Sequence, residues 1–599
     1  MSKEELIFCP LGGSGEIGGN MNLYAYGKED EKKWIIVDMG VSFADESVPG
    51  IDLIMPDAGF IIDKKDDLLG IILTHAHEDH IGAVSHIWPN LKCKIYATPF
   101  TSALILEKFK EKKIDISSYL EVVKLNSKIK LGSFEIDFVT LTHSILEPNG
   151  LSIKTPLGTV LHTGDWKIDP NPLIGGQIDE QKLKSIGNDG VSAMICDSTN
   201  IFSPGRAGSE SDVRDSLLRI MELKTNRILI TSFASNVARM ETVFYCAKKT
   251  ERNICLVGRS MQRIYRAARK CGYLQGLIEP LEPRDAKKVP KNKILYLATG
   301  SQGEPMGAMT RIINGIHPDV YLEKGDCVIF SSKIIPGNEK KLYHLQNLIV
   351  KNKMEMISEE NAFVHVSGHP NRDDLKDMYK WVKPKCVIPV HGEHRHMAEH
   401  VSFAKEMQIP KTLLIENGDI IKILPGNKPE IIDKAPSGKV YLDGNINVET
   451  DSQSIKDRKN LSANGYLEPE QFQSVFDNSL VVDATGDEQF STQLSFIAQR
   501  IRQLGATVNI LHVWVDANGL AVRALLDDGS GGCYRCLKTY ETSSGHKTLV
   551  ERFPLFTDRN ELPKSARIHY QCGESYVPFS EGVSVVAAGL GQQMAMEFN

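Results

Sequence analysis

The sequence predicts an α/β protein built from a strand-rich first domain that is interrupted by an inserted α/β domain and followed by a further, partial α/β segment. Three observations carry this reading. Residues 6–165 form short apolar runs bounded by charge, Gly or turn residues, the signature of short strands. From about 207 to 370, strand-like and helix-like segments alternate, as a parallel sheet requires. After 370 strand-like runs return, so the alternating stretch reads as an insertion between a first part, 1–206, and a second part, 371–465.

In the first part, Ile35-Ile36-Val37-Asp38 and Gly70-Ile71-Ile72-Leu73-Thr74 read as buried strands, and Phe134-Glu135-Ile136-Asp137-Phe138 alternates like a half-buried one. In the insertion, 227–231 and 253–257 read as strands, and 236–249 and 261–270 as helices. The Pro- and Lys-rich segment 279–293 reads as an exposed loop. Cys386-Val387-Ile388-Pro389-Val390 resumes the first domain. The texture shifts again near Gly465, and 475–599 reads as α/β.

Composition excludes several classes. The 599 residues are 41% apolar and 24% charged, ordinary for a globular protein. No basic-then-apolar start suggests a secretory signal, and no uncharged apolar run reaches the ~18 residues of a membrane span. Eleven scattered cysteines suit a reducing cytoplasm rather than a disulfide framework. A net charge of -6 makes any nucleic-acid contact local. The candidate is 259–293, with ten Lys/Arg against three Asp/Glu. There Arg259, Arg263, Arg266 and Lys270 share one helical face, which reads equally as a solvated surface.

The chemistry concentrates in Leu73-Thr74-His75-Ala76-His77-Glu78-Asp79-His80. Three imidazoles and a carboxylate within six residues, at the end of an apolar strand, suit zinc or manganese. An extended turn would let His75 and His77 face one metal while Asp79 and His80 face a second. His143, Asp165 and His391 each follow an apolar run and supply the missing partners. Two metals ~3.5–4 Å apart would activate a water for in-line displacement at phosphorus, with no Ser or Cys nucleophile.

The ordered set Asp38, His75, His77, Asp79, His80, His143, Asp165 and His391 resembles the metallo-β-lactamase superfamily, an αββα sandwich. The resemblance implies that His75, His77 and His143 hold one zinc, that Asp79, His80 and His391 hold the other, and that Asp165 bridges. Asp38 would orient ligands from behind. Further motifs are Cys196-Asp197-Ser198-Thr199-Asn200, Phe233-Ala234-Ser235-Asn236, Gly258-Arg259-Ser260-Met261, Thr299-Gly300-Ser301-Gln302-Gly303-Glu304, Pro336-Gly337-Asn338-Glu339 and His365-Val366-Ser367-Gly368-His369. Over about 5–465 these resemble ribonuclease J of the β-CASP nucleases. That implies endonuclease and 5′-to-3′ exonuclease action on 5′-monophosphorylated RNA. Two Zn²⁺ are the implied cofactors, with Mn²⁺ or Mg²⁺ as substitutes. Phe233, Ala234 and Ser235, with His365, Val366, Ser367, Gly368 and His369, would cradle phosphate. Asp197 would orient His369 as general acid, beside Asp79 among the catalytic residues. The resemblance also implies a cytoplasmic homo-oligomer, although the family's usual C-terminal oligomerisation domain is expected to be missing here.

Two motifs point elsewhere. Gly13-Ser14-Gly15-Glu16-Ile17-Gly18 matches a dinucleotide fingerprint, but Asn20 to Tyr26 reads as a strand where that fold needs a helix, so no nucleotide site is expected. Asp443 is in a segment where the family's Asp has been linked with calcium, and one carboxylate is too little for that ion. Past Gly465 the resemblance stops. Leu480 to Asp487 and Gly532-Cys533-Tyr534-Arg535-Cys536-Leu537 resemble the later half of a ThiF/MoeB-type adenylyltransferase. Its Gly-rich ATP-binding half is absent, so adenylation is not expected, and Cys533 and Cys536 lack a second Cys pair for zinc. The competing functions are a small-ester or lactam hydrolase, disfavoured by the insertion and the phosphate motifs, and a non-catalytic RNA-binding protein, disfavoured by the complete ligand set.

Overall fold

The computed structural model describes residues 3–464, except 45, 46, 52, 305, 424–428 and 445, and beyond them shorter stretches between 481 and 551. The chain divides into two units, Met1–Ile455 and Lys456–Asn599.

In the first unit two large sheets pack face to face. The eight-stranded sheet runs, in spatial order, Glu430–Lys434, Asp419–Ile423, Glu5–Gly12, Met21–Gly27, Lys33–Val37, Leu68–Ile72, Ile95–Ala97 and Leu120–Val122. The seven-stranded sheet runs Lys128–Leu131, Phe134–Thr140, Asn149–Thr155, Gly158–His162, Ala193–Asp197, Cys386–Val390 and Lys411–Thr412. The inward faces obey the two-residue period of a strand. Leu6, Phe8, Tyr24, Ile35, Val37 and Ile72 from one sheet meet Phe134, Ile136, Phe138, Ile153, Val160, Ile195 and Ile388 from the other. Helices cover both outer faces: Pro99–Glu111 packs through Phe100, Leu104, Ile105 and Phe109 on one side, and Arg372–Val382 through Leu375, Met378 and Val382 on the other. The result is the expected αββα sandwich.

The insertion is a five-stranded all-parallel sheet, ordered Asn253–Val257, Ile294–Ala298, Ile228–Thr231, Cys327–Phe330 and Glu355–Ile357. Its strands are near-continuous apolar runs because helices cover both faces. The helix Val237–Lys249 starts one residue after its predicted beginning, with the Asn236 side chain capping it by accepting from Arg239 N. The helix Arg259–Lys270 begins two residues before its predicted start. The segment expected to be an exposed loop, 279–293, carries a helical turn, Pro283–Ala286, where Pro fits the first turn of a helix, and a 3-10 turn, Lys291–Lys293.

The insertion leaves and re-enters the sandwich between two neighbouring strands. Ala193–Asp197 pairs in parallel with Cys386–Val390, with Asp197 opposite Val390. In the second unit Val481–Asp483, Ile510–Asp516 and Ala521–Asp527 form a three-stranded sheet, and Lys538–Ser543 pairs with His546–Glu551. Cys533, Cys536, Cys572 and the segment Tyr466 to Glu470 lie outside the described residues. No helix among the described residues is long and apolar enough to cross a membrane.

Phe138 is 1% exposed between the two large sheets. Phe138→Ala is expected to destabilise the first unit by about 3–5 kcal/mol, read as a lower urea midpoint at unchanged slope.

Candidate metal centre

Most of the candidate residues sit at or just past the C-terminal end of a strand, and these ends converge along one edge of the sandwich. Asp38 follows Lys33–Val37, and His75 follows its parallel neighbour Leu68–Ile72. His143 follows Phe134–Thr140, Asp165 follows Gly158–His162, Asp197 ends Ala193–Asp197, and His391 follows Cys386–Val390. Residues 73–77 form no helix or strand, and His77 is extended, but Glu78–Ile81 is a single helical turn. Asp79 and His80 therefore reach the site from a helix rather than from an extended turn. That turn lies against the backbone at Gly40, where a Cβ would come within 1.6 Å of the Asp79 carbonyl oxygen, so only Gly fits. Asp38 and His391 both take left-handed backbone angles, φ 64° and 52°, rare for residues with a side chain and characteristic of functional sites.

Of three groups of nitrogen and oxygen atoms among the described residues that could hold a cation, one is Asp197, His369 and His391, and the other two share Asp165. His75, His77, His143 and Asp165 form one; Asp79, His80, Asp165 and His391 form the other, with Asp165 common to both. Within each, the ligand atoms all lie within 4.8 Å of one another. Asp165 Oδ1 is 3.2 Å from His80 Nε2, and Oδ2 is 3.3 Å from His391 Nε2, 3.7 Å from His143 Nε2 and 4.0 Å from His75 Nε2. His77 Nδ1 faces His75 Nε2 at 3.2 Å and His143 Nε2 at 3.0 Å. Both Asp165 oxygens are buried and accept no hydrogen bond among the described residues. Lone-pair nitrogens pointing at one another around an orphaned carboxylate are poor protein–protein contacts. They are a good donor set for divalent cations, so the residues present fit the metal pair.

The other imidazole nitrogens are fixed from behind. Asp38 accepts from His80 Nδ1 at 2.7 Å, from Thr74 N at 2.8 Å and from Thr74 Oγ1 at 2.7 Å. Thr74 Oγ1 lies 3.0 Å from His75 Nδ1, and His143 Nδ1 donates to the Gly368 carbonyl at 2.5 Å. The Asn20 carboxamide lies 2.9 Å from His391 Nδ1 and donates to the Asp79 carbonyl at 3.1 Å. Each contact turns the opposite nitrogen toward the centre. Burial holds the His75 and His143 imidazoliums well below their usual range and brings His77 down to about 4, so these rings are neutral donors near pH 7. Burial acts the same way on His80, but Asp165, Asp79 and Asp38 overcome it and push that ring well above its usual range. Burial alone would raise Asp165; His391 and His80 hold it well below the carboxylate range instead.

The phosphate candidates lie beside this centre. Asp197 accepts from His369 Nδ1 at 2.8 Å, and His369 keeps 22% of its side chain exposed. Burial lowers that imidazolium, but Asp197, Asp165 and Asp79 push it up to about 9. Ser235 Oγ lies 3.0 Å from His77 Nε2, so the insertion touches one of the candidate ligands directly. Ser367 Oγ accepts from Asn200 Nδ2 at 2.7 Å. A Cβ at Gly368 would come within 2.6 Å of Ser144 Oγ and 2.8 Å of His143 Cε1, so this position needs Gly. His365 Nδ1 is buried and makes no hydrogen bond among the described residues, and burial brings that ring down to about 3. Two candidates behave differently: Val366 turns into the apolar core, and Ala234 packs against it. On the basic helix, Arg259, Arg266 and Lys270 are exposed, whereas Arg263 pairs with Glu111 at 3.2 Å. The glycine run lies between the strands Glu5–Gly12 and Met21–Gly27, with no helix after it.

Sequence reasoning missed Asn20, Thr74 and Asn200. Asn20 was hidden in the glycine run, where its only signal is a polar residue about to enter a fully buried strand. In the second unit, Asp483 Oδ2 lies 2.7 Å from His512 Nδ1, and Ser495 Oγ lies 3.1 Å from His512 Nε2. The order is that of a nucleophilic triad, but Ser495 and His512 are each 1% exposed, so this is a core network.

Fold and site together define a metallohydrolase of the metallo-β-lactamase superfamily, and residues 16–232 match the family described as "Metallo-beta-lactamase superfamily". Residues 225–349 match "Ribonuclease J, beta-CASP domain", and 353–411 match "Zn-dependent metallo-hydrolase RNA specificity domain". Over 464 residues the chain is 40% identical to Ribonuclease J of Sinorhizobium meliloti, covering 78% of this chain and 82% of that protein. It is 35% identical to Ribonuclease J of Helicobacter pylori, covering 78% and 67%, and 34% identical to Ribonuclease J2 of Bacillus subtilis, covering 78% and 83%. The chain belongs to the ribonuclease J family. The ThiF/MoeB-type resemblance of 475–599 is not confirmed.

Asn20→Ala is expected to weaken metal binding about 10- to 100-fold, because His391 loses the group that fixes its orientation. Competition with a chromogenic chelator measures it.

Proposed function

We propose that this metal-dependent ribonuclease works with two zinc ions and cuts RNA both internally and from the 5′ end, favouring a 5′-monophosphate. The observation that carries the reading is the pair of ligand groups sharing Asp165, with Ser235 and the loop 365–369 placed against them. Neutral imidazoles with few carboxylates favour zinc over magnesium. In this reading His75, His77, His143 and Asp165 hold one ion, and Asp79, His80, His391 and Asp165 the other. When bound, the two ions supply positive charge that lowers the pKa of water and withdraws charge from the scissile phosphate.

The chain's own residues do the rest. Asp197 fixes the His369 ring through Nδ1, which leaves Nε2 to deliver a proton to the departing 3′ oxygen. Ser235, His365, Ser367 and the Gly368 backbone receive the terminal phosphate, with Phe233 and Ala234 shaping the wall. Neutral donors at fixed positions, strengthened by the charge of the phosphate that they would meet, favour a doubly charged end phosphate over a hydroxyl. Exposed Arg259, Arg266 and Lys270 offer the RNA backbone a basic track. A cytoplasmic homo-oligomer belongs to the same reading.

His77→Ala combined with Asp79→Ala is expected to abolish shortening of a 5′-monophosphorylated RNA in a gel assay, and full activity of that variant refutes the proposal. His369→Ala is expected to lower kcat by about 10²- to 10⁴-fold while bound metal, measured by elemental analysis, stays near the wild-type level.

A further inference from the structure

Behind the phosphate loop lies a buried ionic cluster with no part in the chemistry so far. Arg239, on the helix Val237–Lys249, is 0% exposed. Its guanidinium grips Glu210 as a fork, Nε to Oε2 at 3.0 Å and Nη2 to Oε1 at 3.1 Å. Nη1 donates to the Ser331 carbonyl at 2.8 Å and to the Val364 carbonyl at 2.9 Å. Ser331 Oγ donates to the same Val364 carbonyl at 2.7 Å. Val364 immediately precedes His365. On the other side, Glu210 Oε1 accepts from Asn236 Nδ2 at 3.1 Å, and Asn236 immediately follows Ser235. Glu210 N donates to Asp169 Oδ2 at 3.0 Å, four residues past Asp165. Lys167, 2% exposed, pairs with Asp169 at 3.2 Å.

One side chain therefore touches the stem of the 365–368 segment directly and the stem of the 233–235 segment through Glu210, and Glu210 is also tied to the segment that carries Asp165. A buried ion pair is a weak source of stability, since apolar residues of equal volume often do as well or better. What it does supply is fixed geometry, because the five N–H groups of a guanidinium lie in one plane in a fixed fork. No other side chain can hold a carboxylate bidentately and two carbonyls at once.

We propose that Arg239 is a positioning residue that sets the separation between the wall at Phe233–Ser235 and the wall at His365–Gly368, and so determines how strongly the enzyme prefers a 5′-monophosphate end. The inference rests on the phosphate-cradle reading given above. Arg239 touches no substrate; it acts through Val364 and, by way of Glu210, through Asn236.

The test compares kcat and KM for two oligoribonucleotides of one sequence, one with a 5′-monophosphate and one with a 5′-hydroxyl, on the full chain loaded with zinc. Arg239→Lys keeps the charge but loses the fork. It is expected to raise KM for the 5′-monophosphate RNA about tenfold with a smaller change in kcat, and to cut the monophosphate-to-hydroxyl ratio of kcat/KM about tenfold. Bound zinc is expected to stay at the wild-type level. Ser331→Ala removes one hydroxyl and is expected to cut the ratio by about two- to threefold. This milder variant decides the matter if Arg239→Lys does not fold. Equal losses on both RNAs, with the ratio kept, overturn the proposal and leave Arg239 as a core pin. A wild-type enzyme that shows no preference overturns the cradle reading itself, and this inference with it.

Discussion

The structure turns on one buried carboxylate. Asp165 has both oxygens out of water and no hydrogen-bond donor among the described residues, and imidazoles crowd it from both sheets. Such a cluster works against the fold: the neutral rings of His75, His77 and His143 turn lone pairs toward one another, and a fully buried carboxylate bears a large desolvation cost that His391 and His80 only offset. Divalent cations held there would convert each of these liabilities into a bond. The remaining architecture keeps the cluster from relaxing in their absence. The two sheets bring strand ends from distant parts of the chain to one edge, and Asp38, Asn20 and the Gly368 carbonyl hold the far sides of the rings.

Close approach is the second constraint. The helical turn carrying Asp79 and His80 comes so near residue 40 that a single carbon atom is too much, and the loop 365–369 meets His143 in the same way at Gly368. The left-handed angles at Asp38 and His391 belong with these contacts. The backbone is strained where the ligands are aimed, and the dense apolar packing between the sheets stabilises it there.

Much of this was legible in the sequence, and for a physical reason. Ligands that lie within one turn of chain must be written side by side, and His and Asp at strand ends have few other uses, so His75 to His80 declares itself. Apolar strands declare themselves by period, which is why 253–257 and 386–390 fall where the sequence places them. The helical turn at Glu78–Ile81 did not, because four residues are too few to show a helical period. The residues that orient others were silent for a different reason. Asn20, Thr74, Glu210 and Arg239 owe their roles to partners tens or hundreds of positions away, and nothing local distinguishes a buried Arg on an amphipathic helix from an exposed one. Val366 shows the converse: a motif read as one unit divides between core and cleft, because alternate residues of an extended loop face opposite ways.

The place where the insertion enters the sandwich also governs when the enzyme can come into being. Asp197 and His391 stand on adjacent parallel strands, yet the whole five-stranded module separates them in the chain. His391 emerges from the ribosome about 316 residues after His75, roughly 15 to 60 seconds later at ordinary elongation rates. For the last 226 of those residues, once Asp165 has been made, the first candidate ligand group has all its members while the second lacks one. The chain thus completes one candidate ligand group well before the other, and for seconds to tens of seconds of synthesis it carries a half-built centre.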